Sequence, residues 1–377
     1  MKPVIDLTKE YGIVLEGGGA RGAYQIGAWK ALKEAGVKIK GISGTSVGAL
    51  NGALICMGDL EKAERIWKNI SYSRIMDVDD EVMKNLLRGK LPLKEFLQES
   101  RKMIREGGFD ITPLKNLIDQ EIRPEKIRES DMEFFLQVFH VDSLQELHIN
   151  VKEVEPELIK DLLLASACMY PVFKKEKFFG ETLIDGGIAD NVPVGVLLEE
   201  GYKDILVVRI YGLGLTKPVI VPEDVQIGTI EPRIDLGSIM EFDRDRSQRN
   251  IVAGYYDAMR MIYGLSGIIY YIDQNQDQVY YLNSLVKLKE KEEELRRYVE
   301  AVLPKMAREL RLGEWDYEKL YLSILEATAK LARVPKYRIY TVEELLEEIR
   351  KNKEILEEED DLPDFARRLI GEEGPVK

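Results

Sequence analysis

Tyr11 to Gly58 read YGIVLEGGGARGAYQIGAWKALKEAGVKIKGISGTSVGALNGALICMG. The apolar run YGIVL ends on three glycines, as a buried strand does when it enters a tight turn. ARGAYQIGAWKALKEAG then carries its apolar residues at helical spacing and stops on a glycine. VKIKGISG repeats the strand and TSVGALNGALICMG repeats the helix. Strand, turn, helix, strand, turn, helix is the unit of a parallel sheet. The chain is therefore expected to be an α/β protein whose central, largely parallel sheet is flanked by helices.

Outward from that unit, Asp59 to Asp131 places its apolar residues at helical spacing: Ile66, Trp67 and Ile70; Leu86 and Leu87; Phe96 and Leu97; Met103 and Ile104; Leu114, Leu117 and Ile118. This stretch reads as a helical insertion over the sheet. EFFLQVFHVDS and ELHINVKEV read as neighbouring strands, and IKDLLLASACMYP as a helix that ends before Pro171. ETLIDGG is a short strand entering a turn, NVPVGVLLEEG a helix, and DILVVRIYG a buried strand. The Pro/Gly-rich stretch from Gly212 to Gly228 reads as a loop. After about Asn283 the texture changes to charged amphipathic segments such as VKLKEKEEELRRYVEAVL, which read as surface helices. The expected organisation is a main domain over 8–285, with 59–131 as its insertion, and a helical extension over 286–377.

Composition narrows the function. At 45% hydrophobic and 32% charged residues, the 377-residue chain is neither disordered nor fibrous. Apolar runs fall short of the roughly 18 residues that a membrane-spanning helix needs, and MKPVIDLTKE lacks the apolar core of a secretory signal. A cytoplasmic location is expected. A net charge of −13 argues against a nucleic-acid partner, because such binding relies on Lys and Arg at the phosphates. Two cysteines, Cys56 and Cys168, cannot build a disulfide framework, and no Cys/His grouping has zinc-ligand spacing. Neither a metal nor a cofactor is expected.

Three short motifs carry chemistry. Gly44-Thr45-Ser46-Val47-Gly48 lies between a predicted strand and a predicted helix, where a G-x-S-x-G turn holds its serine at the sheet edge and at a helix N-terminus. The same pentapeptide also occurs as a plain turn. Glu16-Gly17-Gly18-Gly19-Ala20-Arg21-Gly22 matches G-x-G-x-x-G through Gly17, Gly19 and Gly22. The dinucleotide reading requires a carboxylate near the end of the second strand, and Lys38-Ile39-Lys40-Gly41-Ile42 offers none. The alternative is an oxyanion hole, because residues without Cβ atoms let several N–H groups converge on one point. Arg21 fits either a phosphate or a structural brace for that loop. A nucleophilic serine needs a base, and only His140 and His148 are available as histidines; both lie in mid-chain strand-like segments and precede Asp185. A carboxylate remains: Asp185, in Leu183-Ile184-Asp185-Gly186-Gly187, ends a short apolar strand. In a dry site, hydrogen-bonded to the serine, it can accept the proton. It also fits a plain Asp-Gly turn.

In this order, the three motifs resemble those of the patatin-like phospholipase family. The resemblance implies Ser46 as nucleophile, Asp185 as its dyad partner, Gly17, Gly18 and Gly19 as the oxyanion loop with Arg21 in the family's basic position, and Gly22, Gly44, Gly48, Gly186 and Gly187 as supporting glycines. Ala165-Ser166-Ala167 with Pro171 and Phe173, and Asn250-Ile251 with Gly254, Asp257 and Ala258, are also similar to family blocks. The family implies metal-independent hydrolysis of fatty acyl esters of phospholipids or lysophospholipids through an acyl-enzyme, with contact at the membrane surface. It gives no role to the C-terminal helices or to the insertion. The insertion and the loop from Gly212 to Gly228 are expected to wall the site. Soluble esters, neutral glycerides or thioesters as substrates, a phosphate-binding module, and a catalytically silent scaffold are the competing readings.

Overall fold

The computed structural model describes residues 1–90, 107–359 and 361–371. Phe96, Leu97, Met103 and Ile104 of the expected insertion lie outside the described residues. The chain falls into two compact units, Pro3–Ile262 and Tyr263–Lys377 together with Met1–Lys2.

The first unit is built on a seven-stranded sheet in the order β4-β3-β2-β1-β6-β7, with β5 also paired to β3. Its strands are β1 (Glu10–Leu15), β2 (Lys38–Thr45), β3 (Glu133–His140), β4 (Gln145–Asn150), β5 (Leu183–Asp185), β6 (Asp204–Val208) and β7 (Gln226–Ile230). Neighbours among β3, β2, β1, β6 and β7 run parallel, whereas β4 and β5 are antiparallel to β3. The largely parallel sheet expected from Tyr11–Gly58 is present. The inner strands are apolar on both faces because helices cover both. Val14, Phe135, Ile205 and Val207 pack with Val196 and Leu197 of the helix Val194–Glu199. Strand alternation turns their neighbours Ile42 and Phe134 to the other face, where a Cβ on Gly52 would meet both.

Two helices frame the motifs: α1 (Ala23–Ala35) and α2 (Val47–Cys56), each following a parallel strand. In the insertion, α3 (Leu60–Lys68) starts where Asp59 accepts a hydrogen bond from the Lys62 N–H at 2.9 Å. It is followed by α4 (Asp80–Leu87), α5 (Thr112–Glu121) and α6 (Pro124–Glu129), the last two opened by prolines that need no N–H partner. Next come α7 (Pro156–Ser166), α8 (Val194–Glu199) and α9 (Arg244–Tyr263). Helices α1 and α9 cross in backbone contact, since a Cβ on Gly27 would lie 1.8 Å from the Ile251 carbonyl oxygen and one on Gly254 1.9 Å from that of Tyr24.

One loop assignment needs correction. The stretch read as a loop to Gly228 gives way at Gln226 to β7, an edge strand paired with β6. Its mostly solvent-facing residues lack the apolar run that marked the inner strands. The second unit has its own core, in which Tyr270, Tyr281, Tyr298, Tyr321, Leu345 and Phe365 are buried together. Residues 263–285, read from sequence with the α/β body, belong to this unit. None of the helices among the described residues is long and apolar enough to cross a membrane.

Candidate active site

Ser46 sits in the single residue between β2 and α2, with φ 56° and ψ −124°. A side chain is rarely held in this region, at a cost of about 1–3 kcal/mol, and such strain is retained where the surrounding structure fixes it. Here the constraint is steric: a Cβ on Gly48 would come within 2.1 Å of the Leu15 carbonyl oxygen, and one on Gly44 within 2.5 Å of that of Gly48. The turn can therefore fold back tightly against β1 only with glycine at both flanking positions. The Ser46 N–H donates to Ser166 Oγ at 3.1 Å, and the Thr45 hydroxyl donates to the Asp190 carbonyl at 3.0 Å.

Asp185 reaches the serine through sheet register. On β3, Gln137 pairs with Thr45 and the next residue, Val138, pairs with Asp185. Strand β5 thus takes up the edge of β3 at the level where β2 ends, and the end of one strand delivers the carboxylate beside the turn that holds the hydroxyl. The Asp185 carboxylate lies beside the Ser46 side chain, and its Oδ1 accepts the Gly187 N–H at 2.8 Å. Asp185 is 8% exposed. Burial raises its pKa to about 6, against the opposing pull of the Ser46 hydroxyl and the Gly187 N–H.

The glycine triplet lies on the other side of Ser46. A Cβ on Gly17 would stand 3.2 Å from that of Ser46. The Gly17 N–H is already bound, at 3.1 Å, to the Asn191 carbonyl, and Asn191 Nδ2 donates to the Gly17 carbonyl at 3.0 Å. Gly18 and Gly19 line the cavity beside Ser46, and among the described residues neither N–H meets a protein acceptor. Both N–H groups are thus left without a protein partner beside Ser46. Arg21 does not line the cavity. Its guanidinium donates to the carbonyls of Gly237 at 2.7 Å, Ile210 at 3.3 Å and Tyr211, so it braces the loop. Gly22 faces Val47 and Trp67 at the start of α1, Gly186 packs on the Gln137 backbone, and Gly187 lies beside Asn191.

The cavity that opens at Ser46 and Asp185 has a volume of about 980 Å³ including its mouth. Leu50 and Leu54 of α2, Ile66 and Trp67 of α3, and Leu114 and Leu117 of α5 form its apolar wall. The insertion supplies this wall as expected from sequence, and Leu213 adds a residue from the loop after β6. Neither histidine lines it. His140 bonds Ser143 at 2.5 Å and Glu181 at 2.9 Å, and His148 pairs with Glu146 at 3.1 Å. His140, Asp142 and Glu181 come within metal-ligating range of one another, but none of them lines the cavity. Sequence reading gave Ser166 no task and missed Asn191, whose only signal was its place six residues beyond Asp185.

Chemically, the arrangement offers a strained hydroxyl paired with a buried carboxylate, two free N–H donors, and room for an apolar group. The chain is 28% identical over 199 residues to the neuropathy target esterase sws of Drosophila melanogaster, covering 53% of this chain and 13% of that protein. It is 61% identical over 46 residues to the lysophospholipase nte1 of Aspergillus terreus, covering 12% and 3%. It thus spans only a small part of these relatives. Among solved structures, VipD from Legionella pneumophila aligns over 96% of this chain and 90% of its own, at 13% identity and a TM-score of 0.43. The family model for patatin-like phospholipase matches residues 13–198, a span that holds the glycine triplet, the serine turn and the aspartate. By that match, the chain carries a patatin-like phospholipase domain over residues 13–198.

Proposed function

We propose that the protein is a serine acyl hydrolase acting on fatty acyl esters of phospholipids or lysophospholipids. The observation that carries this reading is the pairing of Ser46 with the buried Asp185 carboxylate in the lining of one apolar cavity that holds no histidine. Ser46 Oγ attacks the ester carbonyl while its proton passes to Asp185. The carbonyl oxygen, now anionic, is held by the N–H groups of Gly18 and Gly19, each worth on the order of 3 kcal/mol at such a position. Collapse of the tetrahedral intermediate expels the alcohol, which takes the proton from Asp185 and leaves an acyl-serine. Water then attacks the acyl-serine, giving up its proton to the same carboxylate, and the fatty acid leaves as Ser46 is reprotonated.

The cavity favours a long acyl chain, because each buried methylene contributes about 0.8 kcal/mol. In a series of 4-nitrophenyl esters, kcat/KM is expected to rise at least about tenfold from acetate to octanoate. Fatty-acid release from phosphatidylcholine and lysophosphatidylcholine should accompany it. A flat series without lipid hydrolysis would move the substrate to small soluble esters.

The pH profile follows from the same carboxylate. Below about 6 Asp185 is mostly protonated and cannot accept the serine proton, so kcat/KM should climb through that pH and level off above it. An unperturbed aspartate would place the limb near about 3.9. A limb there, or one removed by His140→Ala, would contradict Asp185 as the base.

A further inference from the structure

The residues flanking the glycine triplet both grip one short segment beyond β6. Glu16, before the triplet, is 2% exposed. Its Oε2 accepts the N–H groups of Ile210 at 2.6 Å and Tyr211 at 3.0 Å and the Arg209 Nε at 2.9 Å, while Oε1 accepts the Gly212 N–H at 3.2 Å. Arg21, after the triplet, donates to the carbonyls of Ile210 and Tyr211. A carboxylate thus takes the N–H groups, and a guanidinium the carbonyls, of the same residues. The gripped segment lies directly on the triplet, since a Cβ on Gly212 would fall 1.8 Å from the Gly17 carbonyl oxygen and 2.7 Å from Gly18 Cα.

We propose that Glu16 and Arg21 form a paired clamp that presses residues 210–212 onto the glycine triplet and thereby fixes the direction of the Gly18 and Gly19 N–H groups. Neither lines the cavity, so both are positioning residues. The inference rests on the acyl-hydrolase reading. Three charge-assisted or backbone bonds on Oε2 and one on Oε1 leave no tolerance for an amide. In Glu16→Gln the NH₂ group must face either the Gly212 N–H or the three donors at Oε2, donor against donor. Residues 210–212 then lift, and the triplet loses its template while the acyl cavity keeps its walls.

The test measures kcat, KM, inhibition by an alkyl trifluoromethyl ketone, which forms a tetrahedral adduct on the serine, and binding of octanoate, which does not. In Glu16→Gln, kcat and ketone affinity are expected to fall together by about 10- to 100-fold, with KM and octanoate binding within about threefold of wild type. Arg21→Lys, which keeps the charge but cannot span the carbonyls, should show the same pattern and serves if Glu16→Gln does not fold. The double variant should be no worse than the worse single one, because both act on one segment. Equal loss in all four measurements, unchanged kcat, or multiplying effects in the double variant would overturn the clamp. A wild type that hydrolyses no ester would overturn the hydrolase reading and the clamp with it, whereas an active wild type with an unaffected Glu16→Gln overturns the clamp alone.

Discussion

Replacing Ser46 by alanine is expected to lower ester hydrolysis by on the order of 10³-fold or more while leaving the protein folded. The hydroxyl is the only part of the turn that the variant removes; the backbone that holds it at φ 56° stays under the same constraint from Gly44 and Gly48. That constraint gives a second readout. Ser46→Gly should be as inactive as Ser46→Ala yet more stable by about 1–2 kcal/mol, because glycine adopts this backbone region at little cost. Fatty-acid release and thermal unfolding of both variants check the two halves of the expectation. Activity within tenfold of wild type in either variant would remove Ser46 from the reaction.

Asp185→Asn should reduce turnover by about 10²- to 10⁴-fold, since the amide keeps the shape but cannot take the proton. Its effect on stability runs the other way. The folded-state pKa of about 6 lies above the ordinary 3.8, so the aspartate contributes its full stability below about pH 4 and loses it as pH rises to about 6. At neutral pH the buried ionised carboxylate then costs up to about 3 kcal/mol relative to its protonated form. Asparagine avoids this cost. Denaturant unfolding of wild type and variant from pH 4 to pH 8 should show the wild type weakening over that interval and the variant nearly level. Parallel curves would mean that Asp185 is not held in a dry site.

Much of this site was legible before any coordinates. The glycine turns and apolar periodicity of Tyr11–Gly58 are local features, and local features determined β1, α1, β2 and α2. They placed Ser46 at a strand-to-helix turn and the triplet at the end of β1. What brings Asp185 to Ser46 is not local: it depends on β5 joining β3 one register position beyond the end of β2, and no spacing between residues 46 and 185 encodes that. Asn191 and Glu16 escaped notice for a related reason. Each acts through backbone groups of a distant segment, and a backbone N–H carries no sequence signature. Strand β7 was hidden because an edge strand facing solvent lacks the apolar run that identified the others.

That Ser46 is the nucleophile is tested most directly by which residue a fluorophosphonate modifies. Incubation with a fluorophosphonate followed by peptide mass spectrometry should find one adduct, on the peptide holding Ser46. That adduct should be absent in Ser46→Ala and should form more slowly in Asp185→Asn. An adduct on another residue, or ester hydrolysis that continues after Ser46 is fully modified, would contradict it.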